Sequence, residues 1–161
     1  MKIFLLGLVL CTVLMLNAGT VQAGEPSLSS VEVDAIVSKF QTAYADTFNR
    51  RDAKGMTALF TEDATFQTDG GIVTQGRDKI EANLVKLMAQ LPPETTLDDN
   101  AVSSREIAAN VIVCHGVSHR LTPNAPPVTM VFTRVFVQQK GQWLLAATLI
   151  ARPPTPSAAH K

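Results

Sequence analysis

The sequence predicts an α+β fold in which helices come first and an antiparallel sheet comes last. Three observations carry this. Apolar residues recur every three or four positions in segments that end at Pro92-Pro93. After that pair come three long runs rich in β-branched and aromatic residues, two of them joined by the tight turn Lys140-Gly141. The chain has 161 residues, the length of one domain with a real core. Helices followed by strands, rather than alternating with them, point away from a doubly wound parallel sheet.

The first element is expected to be a leader. Met1-Lys2 is a short positive start, Ile3 to Leu16 is almost wholly apolar, and Val21-Gln22-Ala23 places small residues before a cut. This is the three-part pattern of a secretory signal peptide. The apolar run stops at Asn17, short of the roughly 20 residues that span a membrane. Cys11 follows Leu10 inside the run, a poor context for lipid attachment. The expected organisation is therefore a signal peptide over 1–23, a linker over 24–30, a folded domain over 31–152 and a flexible tail over 153–161. The mature protein is expected to be exported, to the periplasm or the medium.

In the domain, Ser29 opens a capping-box pattern with Glu32. Val33, Ile36, Val37, Phe40, Tyr44 and Phe48 then form the apolar face of a long helix ending near Asn49-Arg50. Asp52 can cap a shorter helix with Met56, Leu59 and Phe60 on its inner face. Glu62 to Gln67 reads as a short strand closed by Asp69-Gly70-Gly71. A third helix follows Gly76, with Ile80, Leu84, Leu87, Met88 and Leu91 on one face, and Pro92-Pro93 stops it. Thr95–Ile107 is polar and irregular, as an edge strand is, and Val111–Leu121, Val128–Gln139 and Gln142–Arg152 complete the sheet.

Val128–Gln138 also speaks about assembly. One alternating face is Met130, Phe132, Arg134 and Phe136, and the other is Val131, Thr133, Val135 and Val137. A half-exposed antiparallel strand alternates apolar with polar. With both faces mostly apolar, one meets the helices and the other calls for a partner subunit, so a homodimer is expected.

Composition excludes some classes. Fourteen basic residues balance 14 acidic ones, with no basic stripe, so no nucleic-acid partner is expected. After leader removal no membrane partner is expected either. Cys114 becomes the sole cysteine, without an internal disulfide, and its run Val111 to Cys114 reads as a small buried hydrophobe. His115 and His119 lie four apart on a strand, roughly 13 Å at ~3.3 Å per residue, too far to share one metal ion. Phosphate-cradling glycine motifs and clustered metal ligands are absent from the sequence, and no cofactor or metal is expected.

Tyr44-Ala45-Asp46-Thr47-Phe48-Asn49-Arg50-Arg51-Asp52 and Ala58-Leu59-Phe60-Thr61-Glu62-Asp63-Ala64-Thr65-Phe66 resemble segments of the NTF2-like superfamily. Gly76-Arg77-Asp78-Lys79-Ile80 and Gly141-Gln142-Trp143-Leu144-Leu145 are similar to its third-helix opening and late strand, most of all in the SnoaL-like and DUF4440-like branch with its SgcJ/EcaC-type group. The resemblance spans about residues 31–152. It implies an NTF2-like cone, helices over a strongly bent sheet enclosing one pocket, with dimers through the outer sheet face.

The same resemblance frames the candidate site. Tyr44 stands where isomerase-type relatives hold an oxyanion donor. Thr68 stands where they hold a general-base carboxylate, and Asp69, one residue on, is expected to point to the opposite side. Thr148 takes the place of a pocket histidine. The pocket is expected to draw on Tyr44, Phe48, Phe60, Phe66, His119, Met130, Phe132, Arg134 and Thr148, with no catalytic set among them. A charge such as Arg134 among apolar neighbours needs a partner, Asp63 or Glu106, unless it anchors an acidic ligand or sits at a dimer edge. Asp63 and Arg77 read as structural, through capping or a fold-closing salt bridge. The leading expectation is a protein that binds a small apolar or weakly acidic ligand. The alternatives are a cofactor-independent isomerase or hydrolyase using Tyr44 with His115 or His119, and an interaction module with a vestigial pocket.

Overall fold

The computed structural model describes residues 27–153. The expected leader, residues 24–26 of the expected linker and residues 154–161 of the expected tail lie outside the described residues. Helix α1, Ser30–Asn49, begins where the capping box places it: Glu32 N–H donates to Ser29 Oγ at 3.3 Å, and Ser29 N–H donates to Glu32 Oε2 at 2.9 Å. Val33, Val37, Phe40, Tyr44 and Phe48 are buried along one stripe. Arg51, with a left-handed φ of 59°, turns the chain. Asp52 then caps α2, Ala53–Thr57, by accepting from the Gly55 N–H at 2.7 Å.

Phe60 opens β1, Phe60–Gln67, rather than finishing the second helix as its spacing suggested. Strand pairing with Leu145 claims it, and it is fully buried. A strand too short to show any period, β2, Val73–Gln75, pairs back on β1. Gly76, at a φ of 95° that disfavours other residues, turns into α3, Arg77–Gln90, which buries Ile80, Leu84 and Met88. Arg77 donates to the Phe60 carbonyl, tying α3 to β1. Asp63 is exposed and makes no ion pair among the described residues.

The remaining strands are β3, Thr96–Ala108, β4, Val111–Leu121, β5, Val128–Gln139, and β6, Gln142–Ala151. Lys140 and Gly141, both at positive φ, make the two-residue turn between the last pair. The strand order is β2-β1-β6-β5-β4-β3, with β3 at an edge as expected. The sheet is mixed, which corrects the all-antiparallel expectation: β1 runs parallel to β6. These strands meet only after β2, α3 and three further strands have intervened, so no hairpin signal could fix their direction. Register shifts in β3 and in the β5–β6 and β1–β6 pairings bend the sheet, and α1 packs along β3 over its concave face. The core lies between helices and concave face, where Met130, Phe132, Arg134 and Phe136 point inward; Val131 on the other face is 36% exposed.

Candidate functional site

Inside the concavity lies a cavity of about 180 Å³. Helices supply Tyr44, Phe48, Met56, Leu84 and Leu87. The sheet supplies Phe66, Leu97, Ser118, Arg120, Met130, Arg134 and Ile150, and the β1–β2 turn adds Thr68 and Asp69. Of the residues expected at the pocket, Tyr44, Phe48, Phe66, Met130 and Arg134 line this cavity.

The other expected lining residues sit elsewhere. Phe60 and Phe132 face inward but lie behind the wall: Phe60 packs between Tyr44 and Phe66, and Phe132 lies 3.9 Å beneath the Arg134 guanidinium. Thr148 is buried beside Arg134 in register but does not reach the cavity. His119 is on the opposite face, where its ring contacts Thr129 Oγ1 at 3.0 Å; His115 contacts Thr133 Oγ1 in the same way. Strand parity explains this, because the inward side of β4 carries Ile112, Cys114, Gly116 and Ser118. Parity also brings Ser118 and Arg120 to the cavity, which the sequence reading missed. Asp69 corrects a further expectation. Strand β1 ends at Gln67, so alternation no longer governs the turn, where Thr68 N–H donates to the Ile72 carbonyl, and both Thr68 and Asp69 line the cavity.

Arg134 finds its partner in Asp99 of β3, not in Asp63 or Glu106. The pair is bidentate, with Nη2 at 3.0 Å from Oδ1 and Nη1 bonded to Oδ2, and both side chains are buried. Glu106 instead accepts from the Leu28 and Asn110 N–H groups. The guanidinium also lies 4.3 Å over the Tyr44 ring. Burial is the largest single influence and works against the charge on Arg134, but the Asp99 carboxylate, with smaller help from Tyr44 and Cys114, more than offsets it and keeps the side chain charged. Burial pushes the Tyr44 hydroxyl up to about 12, with Arg134 pulling the other way. Burial likewise lifts the Cys114 thiol to about 11, making it a packing residue at neutral pH. Asp69 pairs with Arg152 at 2.9 Å at the cavity rim. Among the described residues no three His, Cys, Asp or Glu side chains gather as a metal site, and no helix is long and apolar enough to cross a membrane.

A family model described as the SnoaL-like domain matches residues 41–146. The chain belongs to the SnoaL-like family. No curated protein matches it. Among solved structures, this SnoaL-like chain is similar to an NTF2-like protein of unknown function from Pseudomonas putida, at 13% identity over 83% of this chain and 94% of that one, with a TM-score of 0.70. It is also similar to a putative scytalone dehydratase from Novosphingobium aromaticivorans, at 14% identity over 80% and 89%, TM-score 0.65. A ketosteroid isomerase-like protein from Erwinia carotovora atroseptica matches at 15% over 75% and 96%, TM-score 0.61. At these identities the likeness is one of fold, and the NTF2-like cone is that fold.

Proposed function

We propose that this SnoaL-like protein is an exported binder of a small, largely apolar molecule held in its cone. One observation carries the reading: the deepest charge at the cavity, Arg134, is already neutralised by Asp99, while the rest of the wall is mainly aromatic and aliphatic side chains. At about 180 Å³ the chamber is close to the ~150 Å³ that admits a single aromatic ring and below the ~300–1,000 Å³ usual for drug-sized ligands. It suits a ring-sized group or the end of a longer molecule. Export rests on the leader pattern of residues 1–23. A homodimer through the outer sheet face belongs to the same reading, supported by the exposure of Val131 and Leu149 there; Val135→Lys should then yield monomers.

A second reading is favoured by Asp69, which shares the cavity with Tyr44. In a cofactor-independent isomerase or hydrolyase, Asp69 would move a proton while Tyr44 donates to a developing oxyanion. His115 and His119 lie on the other face, bonded to Thr133 and Thr129. Asp69 is already engaged by Arg152 at 2.9 Å, which favours binding over turnover. Tyr44→Phe decides between them. Binding predicts an affinity loss of roughly tenfold or less, one neutral hydrogen bond. A turnover cut more than about a hundredfold by Tyr44→Phe or Asp69→Asn overturns the binding reading.

A further inference from the structure

The cavity has a neighbour across one of its walls. Phe66, Thr68, Leu84 and Leu87 are shared with a second hollow of about 350 Å³, a groove between α3 and the β1–β2 turn. Ile72 borders this groove at 67% exposure, and the next residue, Val73, is 58% exposed. Two neighbouring aliphatic side chains stand in water beside an apolar groove.

The opposite wall carries a charge without a partner. Arg120 pairs in register with Leu97 and Val128, both apolar, and among the described residues it makes no ion pair. Arg134 and Asp69 are each neutralised, so Arg120 is the uncompensated charge of the chamber. Strand order places β5 and β6 between Arg120 on β4 and Phe66 on β1, with Met130 and Ile150 as the floor. Three interstrand steps of ~4.8 Å make roughly 14 Å, longer than a single ring.

We propose that the ligand is a long-chain amphiphilic carboxylate. Its carboxylate pairs with Arg120, its chain crosses Met130 and Ile150, and its tail passes Phe66 and Leu87 to cover Ile72 in the outer groove. This rests on the cavity being a ligand site and names the class of ligand. The reverse orientation, with the carboxylate at exposed Lys86, would leave the Arg120 charge facing hydrocarbon.

The test is isothermal titration calorimetry with decanoate, decanol and benzoate against the wild type, Ile72→Glu, Arg120→Leu and Lys86→Ala. Ile72 is exposed, so its variant should fold. Decanoate should bind at least tenfold tighter than either benzoate or decanol. Ile72→Glu should cost decanoate tenfold or more and leave benzoate unchanged, while Arg120→Leu should weaken both carboxylates and spare decanol. Decanoate no tighter than benzoate, equal losses for both in Ile72→Glu, or a loss carried by Lys86→Ala instead of Arg120→Leu each overturns the proposal and leaves the cavity reading standing. If no probe binds the wild type, the cavity reading falls with it.

Discussion

Asp99 and Arg134, 35 residues apart in sequence, face each other across β4 as a buried bidentate pair, with the guanidinium stacked on Tyr44 and Phe132. The pair cancels the deepest charge of the cavity and leaves Arg120 as the cation facing it. It also leaves the fold sensitive to losing either partner alone.

Removing one member of such a pair strands the other charge in the core, at a cost of about 3–5 kcal/mol. Asp99→Asn and Arg134→Met should each fall in that range in urea unfolding. The double variant Asp99→Leu/Arg134→Met should recover most of the loss. Single variants within about 1 kcal/mol of wild type would show the pair to be energetically idle.

Tyr44 is the sole tyrosine of the chain, so tyrosinate absorbance reports it alone. In the folded protein it should ionise near pH 12, and near the ordinary value of about 10 once unfolded. Because the folded state holds its proton longer, this contribution to stability is intact below pH 10 and is lost as pH rises towards 12. A folded-state midpoint at 10 would place the hydroxyl in water rather than at a buried wall.

Gly116 has no room for a side chain. A Cβ there would lie 2.2 Å from Phe132 Cζ and 2.3 Å from the Asn100 carbonyl oxygen. The second neighbour is backbone and cannot swing aside. Gly116→Ala should cost about 1–3 kcal/mol by overpacking and, by displacing Phe132, loosen the Arg134 stack. Unchanged thermal stability would contradict this packing.

Much of this was legible in the sequence, and the failures share a cause. The Ser29 capping box, the Asp52 cap and the β4 and β5 boundaries follow from local rules, since each depends on residues within a few positions. What was missed depends on register between distant strands. Asp99 lies in a polar, irregular stretch that offers no sign of facing Arg134. His119 looked like a lining residue until parity with Cys114 and Ser118 placed it outside. Direction failed where β1 met β6, because no hairpin joins them.

The histidine placement gives its own check. His115→Ala and His119→Ala should change ligand affinity less than twofold, because both rings bond threonines on the outer face. A tenfold loss in either would put that face in communication with the cavity.

Whether the cone holds a small molecule can be read from native mass spectrometry. The protein would be purified natively, without refolding, and compared with Ile150→Trp, which fills the cavity floor. A protein with an occupied cone should show a discrete noncovalent adduct on the wild type that is missing from a folded Ile150→Trp. Bare mass for both proteins, or the same adduct on both, would contradict it.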